Sequence, residues 1–133
     1  MPELPEVETT KRGIEPYIAK KKIHSIFVSE YALRIKFNKN QKKNILNTKI
    51  EAVRRRAKYI LIDFSSNYSL LIHLGMTGNL RIADTLSLGK HDHIAFSLNS
   101  KKHLIYNDVR RFGLILIIKK GQRNKLLENN GPD

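Results

Sequence analysis

Residues 58–75 read KYILIDFSSNYSLLIHLG, two apolar runs separated by four polar or turn-forming residues. Runs of this length, rich in Ile, Leu and aromatic residues and bounded by turn residues, are typical of strands rather than helices. The polar stretch SSNY at 65–68 has the composition of a tight connection. This segment therefore predicts two consecutive strands, at 58–64 and 69–75.

The rest of the chain repeats this pattern. Turn-like stretches occur at 75–79 (GMTGN) and 98–102 (LNSKK). Further strand-like runs are IHSIFV (23–28), LRIKF (33–37), HIAFSL (93–98), HLIYN (103–107) and FGLILIIKK (112–120). Many short strands with tight connections predict a mainly β protein, a sandwich or a barrel.

The N-terminus, MPELPEVETT, has a different pattern. Apolar residues recur there near helical spacing, and we expect a helix over 3–12. Pro5 suits a first helical turn, and Glu6 suits the positive end of the helix dipole. Gly13 is expected to end this helix, and Pro16 to open a short second one. The final residues, LLENNGPD (126–133), are typical of a helix end followed by a Gly-Pro stop.

Composition restricts the function classes. The 133 residues suffice for one domain, and 25 Lys and Arg against 12 Asp and Glu give a formal net charge of +13. Such a charge favours a polyanionic partner, nucleic acid first and an anionic membrane second, although no long basic amphipathic helix stands out. Without Cys the chain forms neither a disulfide nor a cysteine-ligated zinc site. Without a signal-like or bilayer-length apolar run, we expect a soluble, intracellular protein.

Chemistry is suggested first at the N-terminus. If Met1 is removed, Pro2 has a free secondary amine, and an α-amino group with a pKa of about 7.7–8.0 is partly neutral at physiological pH. A secondary amine that attacks an aldehyde-type carbon forms a cationic iminium, an electron sink for elimination. Glu3 and Glu6, three residues apart, can share a helix face as acid and orienting group. The alternatives are an ordinary Met-Pro start and acids that only complement the helix dipole.

Three stretches suggest nucleic-acid contacts. RRRAKY (54–59) is the densest basic run; Lys58 could point toward a site, or the charges could protect an edge strand. Met76, in HLGMTG, could push between base steps or lie in the core. NDVRRFG (107–113) offers a phosphate clamp and a stacking or inserting aromatic, or else a hairpin with a half-buried Phe112. HDH (91–93) could hold a metal, but the alternation of faces in a strand argues against it.

These stretches together resemble one family. MPELPEVET, RRRAKY, HLGMTG, KHDH and RRFG stand in the order found in bacterial formamidopyrimidine-DNA glycosylases (Fpg/MutM, Fpg/Nei family). The opening PELPEVET favours this branch over the related endonuclease VIII branch. The resemblance implies an N-terminal catalytic domain, a β-sandwich of about eight strands flanked by helices.

The resemblance also implies an activity. Such enzymes remove oxidised purines, 8-oxoguanine and formamidopyrimidines, through an N-terminal proline iminium and then cut the strand by elimination. By position, Pro2 resembles the nucleophile, Glu3 the acid that protonates the sugar, Glu6 the carboxylate that supports the amine, and Lys58 the catalytic lysine. The implied DNA contacts are of two kinds: gap-filling residues Met76, Arg110 and Phe112, and phosphate contacts His73, His91 and Arg111.

The chain departs from the family in two ways. Val109 stands where the family usually has Pro. Residues 1–133 correspond to a single catalytic domain, without the helix–two-turn–helix and four-Cys zinc-finger domains, so we expect no cofactor in this chain. The expected partner is damaged double-stranded DNA, with no membrane or small-molecule cofactor, for a monomer in the bacterial cytoplasm near the nucleoid. The alternatives are a non-catalytic DNA-binding remnant and, less consistent with the charge and RRFG, an N-terminal-proline tautomerase.

Overall fold

The computed structural model describes residues 4–31 and 33–121. A helix, α1 (Leu4–Ile18), precedes the strands, and a short 3-10 helix spans Lys39–Asn44. The strands are β1 (Ile23–Val28), β2 (Ile50–Arg56), β3 (Tyr59–Phe64), β4 (Tyr68–His73), β5 (Gly78–Ala83), β6 (Asp92–Leu98), β7 (His103–Asp108) and β8 (Leu114–Lys119).

The strands form two four-stranded sheets. One has the order β1-β6-β7-β5 and the other β2-β3-β4-β8, and every neighbouring pair is antiparallel. Helix α1 lies against β2 and β5, one strand from each sheet. The predicted β-sandwich of about eight strands is therefore confirmed.

The core lies between the sheets. Fully buried side chains from both sheets, among them Ile60, Ile72, Phe96 and Tyr106, belong to one cluster. A second, smaller cluster on the other side of β3 contains Tyr59. Because both faces of β3 are covered, this strand reads as a continuous apolar run rather than an alternating one.

Helix α1 is longer than the sequence suggested. The prediction of an end at Gly13 and a second helix from Pro16 is wrong, since α1 continues to Ile18. Val7, Ile14 and Ile18 are buried on one face. Burying an isoleucine contributes about 1.5–3 kcal/mol, whereas a helical glycine costs about 1 kcal/mol. Two buried isoleucines beyond residue 13 therefore outweigh the helix-breaking signals.

The stretch 33–37 is not a strand. Leu33 and Phe37 are buried, but Ile35 is 41% exposed, so strict alternation fails. The Arg34 N–H donates a main-chain hydrogen bond to the Gly113 carbonyl, 3.2 Å long. The apolar residues cover the core from an irregular segment, because they need burial but not a ladder partner.

Two strands were missed or misplaced. Strand β2 takes in only the first three residues of RRRAKY, and the chain turns at Ala57 and Lys58. Strand β5 starts at Gly78, inside the stretch 75–79 that was interpreted as a turn. Strand β5 was not predicted because its sequence, GNLRIA, has no long run of apolar residues. It lies at the edge of its sheet. The interpretation of LLENNGPD as a helix end lies outside the described residues.

Within the part of the chain that the structure describes, no helix is long and apolar enough to cross a bilayer.

Two phenylalanines in the paired strands β1 and β6 test the sandwich core. Phe96 pairs with Ile26, the residue before Phe27. Phe96 is fully buried in β6, whereas Phe27 in the neighbouring strand β1 is 41% exposed. Phe96→Ala should lower the free energy of unfolding by about 3–5 kcal/mol through loss of burial and cavity formation. Phe27→Ala, the matched control, should change it by about 0.5 kcal/mol. Urea denaturation measures both, and equal losses would contradict this assignment of faces.

Candidate nucleic-acid interface

Two loops meet where the chain changes sheets. The segment between β4 and β5, and the segment between β7 and β8, each lead from one sheet to the other. Strand β4 pairs with β8, and β5 pairs with β7, so the loop ends lie side by side: His73 is opposite Leu114, and Gly78 opposite Asp108. RRFG is therefore a crossing between sheets, and the alternative of a hairpin is wrong.

The two loops bring Met76, Arg110 and Phe112 together. The Arg110 guanidinium carbon lies 4.8 Å from the centroid of the Phe112 ring, and its Nη1 lies 3.9 Å from the Met76 sulfur. Met76 is 51% and Phe112 43% exposed, so Met76 is not a core residue. Apolar side chains presented to solvent with an arginine between them can enter a base stack. Their roles as gap-filling residues stay a prediction.

Two glycines let the loops touch main chain to main chain. Gly75 has a φ of +63°, and a Cβ there would lie 2.6 Å from the Gly113 nitrogen. A Cβ on Gly113 would lie 1.8 Å from the Tyr106 hydroxyl. Any larger residue would separate the loops and move Met76 away from Phe112.

A buried carboxylate organises the second loop. Asp108 is fully buried and accepts four hydrogen bonds, from the Thr77 and Tyr106 hydroxyls and from the backbone N–H groups of Arg111 and Gly113. No sequence pattern predicted this role for Asp108. Its position as an acid at the end of a strand, next to two arginines, was the feature that could have indicated it.

Arg111 and His91 line a small basic cavity beside this loop. Arg111 adopts a φ of +58°, and its guanidinium carbon lies 5.5 Å from the Tyr31 ring centroid. A cavity of 170 Å³ is lined by Tyr31, Lys90, His91, His93, Val109 and Arg111. The cationic lining suits a phosphate, and two of the three predicted phosphate contacts, His91 and Arg111, line it.

His93 is structural rather than a metal ligand. It is buried, and its Nε2 donates to the Asp108 carbonyl at 2.9 Å, while its Nδ1 lies 3.1 Å from the Ser29 hydroxyl. Asp92 accepts a bidentate pair from Arg81, which lowers the Asp92 pKa. Among residues 4–31 and 33–121 no group of three acids or histidines could hold a metal. Since the chain lacks Cys, it does not fit the family's four-Cys zinc site.

His73 lies under the first loop, at the end of β4. It is 4% exposed, and its Nδ1 accepts the Gly75 N–H at 3.0 Å, so the proton of the neutral ring is on Nε2. Burial, then the charges of Arg34 and Lys58, lower the His73 pKa to about 4. A phosphate contact through His73 would therefore be made by a neutral N–H donor.

The Arg55 side chain connects the turn that holds Lys58 to helix α1. Arg55 bonds both Glu8 in α1, at 2.9 Å, and the Ala57 carbonyl in the turn that holds Lys58. The Arg55 bond is the main cause of a lowered pKa at Glu8. Lys58 itself is half-buried in that turn. The helix start and the lysine are thus held in one unit.

The neighbouring arginine is also occupied. Arg54 makes a bidentate pair with Asp63, at 2.6 and 3.0 Å. Burial alone would raise the Asp63 pKa, but the bonds from Arg54 and Ser69 outweigh it and lower the pKa. Arg54 and Arg55 are thus ion-paired, whereas Arg56 is exposed and forms no ion pair within residues 4–31 and 33–121.

The remaining predicted site residues lie at the N-terminus. Glu6 is exposed in the first turn of α1. Pro2 and Glu3 lie outside the described residues, so their assignments stay predictions.

The neutral state of His73 is testable by pH. Its imidazole should titrate near pH 4 in the folded protein, against 6.5 for an ordinary histidine. Between these values the unfolded chain binds the extra proton, so stability should fall as pH decreases from about 6.5 to 4. NMR of the imidazole protons follows the titration, and Lys58→Met should raise the His73 pKa slightly. Titration near pH 6.5 would contradict the burial argument.

Comparisons with known proteins identify the family of the chain. The family model described as "Formamidopyrimidine-DNA glycosylase N-terminal domain" matches residues 1–115. The formamidopyrimidine-DNA glycosylase of Xylella fastidiosa is 44% identical over 132 residues, which cover 98% of this chain and 49% of that protein. The Rickettsia bellii enzyme is 45% identical over 116 residues, covering 86% and 42%.

A solved structure has the same fold. Lactococcus lactis formamidopyrimidine-DNA glycosylase, non-covalently bound to DNA containing an AP site, superposes with a TM-score of 0.80 at 36% identity. The match covers 89% of this chain and 45% of that one. The chain spans about half the length of the curated relatives it matches. With sequence and fold in agreement, the chain belongs to the formamidopyrimidine-DNA glycosylase N-terminal domain family.

Proposed function

We propose that this chain is the catalytic part of a base-excision DNA glycosylase with AP lyase activity, acting on oxidised purines in duplex DNA. The observation that carries the proposal is the exposed cluster of Met76, Arg110 and Phe112 on a chain with a formal net charge of +13. A solved relative is bound to DNA containing FAPY-dG, a formamidopyrimidine. That ligand supports the same substrate class here.

The cluster suits the extrusion of a base. An enzyme that acts on a stacked nucleotide must flip it out, at a cost of a few kcal/mol. Met76 and Phe112 supply apolar surface for the gap, and the Arg110 guanidinium supplies donors for the edge of the orphaned base. Association would be driven by phosphate neutralisation, with Arg111 and His91 as contributors.

The chemical step would use the N-terminal amine. Pro2 attacks the sugar carbon that bears the base, and Glu3 protonates the ring oxygen as the sugar opens. The base leaves with the electrons of its glycosidic bond, and a cationic iminium joins Pro2 to the sugar. Loss of a proton from the adjacent carbon then expels the 3′ phosphate by β-elimination, and a second elimination expels the 5′ phosphate.

Lys58 and Glu6 would support this step. Lys58 lies in a turn tied through Arg55 to α1, and its charge would bind a DNA phosphate beside the lesion. Glu6, in the first turn of α1, would support the amine of Pro2. Because hydrolysis of the iminium returns the free amine, the protein acts repeatedly.

A borohydride trap tests the nucleophile. Reduction of the iminium should leave the protein covalently attached to abasic-site DNA, visible as a shifted band on a denaturing gel. Intact mass should show that Met1 has been removed. Pro2→Gly should weaken trapping strongly, because the secondary amine is lost, whereas Pro5→Ala keeps that amine and should be trapped as well as the parent.

The outcomes separate enzyme from remnant. Equal trapping of Pro2→Gly and the parent would remove Pro2 from the mechanism. A parent without Met1 that is never trapped, but that binds DNA, would favour the non-catalytic remnant.

Single-turnover cleavage tests the division of roles. The substrates are duplex or single-stranded DNA with 8-oxoguanine or an abasic site. Phe112→Ala should slow cleavage of duplex 8-oxoguanine most, because the other substrates avoid part of the extrusion cost. Lys58→Ala should impair lesion processing at least as much, with or without a duplex. If the parent chain is too slow to measure, the same variants are tested in a full-length relative.

The matched control for this experiment is Leu86→Ala. Leu86 is 47% exposed and lies between β5 and β6, outside both of the loops that form the cluster. It should leave all four rates nearly unchanged. If Phe112→Ala slowed cleavage of all four substrates equally, the assignment of Phe112 as a gap-filling residue would be wrong.

A further inference from the structure

We infer that Thr77 and Asp108 are positioning residues for the wedge, the exposed cluster of Met76, Arg110 and Phe112. The Thr77 hydroxyl joins the turn that holds Met76 to the loop that holds Arg110. This inference rests on the proposed function, because it assigns to these residues the step in which the duplex is opened. Neither residue is in the exposed cluster. Thr77 acts through the main chain of Arg110, and Asp108 through the amides on either side of Phe112.

The Thr77 hydroxyl donates one hydrogen bond and accepts another. Its Oγ1 donates to Asp108 Oδ1 at 2.6 Å and accepts the backbone N–H of Arg110 at 3.0 Å. A carboxylate oxygen can only accept and an N–H can only donate, so the hydroxyl proton has a single orientation. This hydroxyl is the side-chain link from the first loop to the backbone of a wedge residue in the second.

The Asp108 carboxylate fixes the residues on either side of Phe112. Oδ1 also accepts the Arg111 N–H at 3.0 Å, and Oδ2 accepts the Gly113 N–H at 2.9 Å and the Tyr106 hydroxyl at 2.8 Å. Each oxygen thus has two donors. Arg111 is held with a φ of +58°, an uncommon conformation for a non-glycine residue. Two anchored amides flank Phe112 and determine where its ring leaves the loop.

The hydrogen bonds of Thr77 and Asp108 hold the wedge in place before DNA binds. A wedge on a loop that is free to move must lose its conformational freedom when it enters DNA, which subtracts from the energy available to open the base pair. Here the loop is already restrained in the free protein by five hydrogen bonds, of which two are buried, two partly buried and one, from the Arg110 N–H to Thr77, exposed. Positioning should therefore affect base extrusion, and should not affect substrates that need no extrusion.

The experiment compares two substitutions at one position. Thr77→Val has the same shape without the hydroxyl, and Thr77→Ser keeps the hydroxyl and loses only a methyl. Duplex opening is followed by the fluorescence of 2-aminopurine placed beside 8-oxoguanine, which rises when stacking is lost. Borohydride trapping on a single-stranded abasic site measures the chemistry without extrusion. NMR hydrogen exchange of the Arg110 amide reports the loop in the free protein.

The expected loss is confined to duplex DNA and is reversed when the hydroxyl is restored. Thr77→Val removes the partly buried bond to Asp108 and the exposed bond from the Arg110 N–H, and should reduce the equilibrium for duplex opening about tenfold and speed Arg110 exchange about tenfold. Trapping on the single strand should be nearly unchanged. Thr77→Ser should restore opening and exchange. A purely structural hydroxyl would lower thermal stability but would affect both DNA substrates equally.

Other results would overturn the inference. These are parent-like opening by Thr77→Val, an equal loss on duplex and single strand, or failure of Thr77→Ser to restore opening. A parent that neither opens the duplex nor is trapped would refute the proposed function itself. Arg110 exchange then decides the positioning role alone: unchanged exchange in Thr77→Val would overturn it, and faster exchange reversed in Thr77→Ser would support it.

Discussion

The double crossing of the chain between the sheets is the constraint on which the site depends. Two antiparallel pairs, β4 with β8 and β5 with β7, belong to different sheets, yet the chain passes directly from β4 to β5 and from β7 to β8. Both connections must then cross the same end of the sandwich. Their approach is close enough that a Cβ on Gly75 would collide with the main chain of Gly113. Met76, Arg110 and Phe112 become neighbours as a consequence of topology.

Acidic residues have an internal role in this basic protein. Asp63, Asp92 and Glu8 bind arginines, and Asp108 binds hydroxyls and amides. Buried carboxylates require such partners, because an unpaired charge in the core costs several kcal/mol. With the described buried acids occupied in this way, the excess positive charge remains at the surface. The same pairs that hold the fold together therefore leave the exterior cationic for a polyanion.

Histidine shows how burial changes a predicted role. His73 and His91 were both expected at phosphates because of their place in the sequence. His91 lines the small basic cavity, whereas His73 is buried, with one ring nitrogen bonded to Gly75. A low pKa makes His73 a neutral donor in the physiological range. Any phosphate contact that it makes depends on geometry rather than on charge.

The sequence by itself determined the fold class, because short runs rich in Ile, Leu and aromatic residues and bounded by turn residues, at 23–28, 58–64, 69–75, 93–98, 103–107 and 112–120, are typical of strands that pack against a core. It also indicated the family, through five ordered motifs, and the residues that meet in the exposed cluster. Tertiary structure alone decided the rest. Burial of Ile14 and Ile18 extends α1 past Gly13, and Leu33 and Phe37 are buried without a strand. The roles of Thr77 and Asp108 depend on two loops meeting across the sandwich, a contact between residues 31 positions apart. No local pattern encodes such a contact, because it exists only once both sheets have formed.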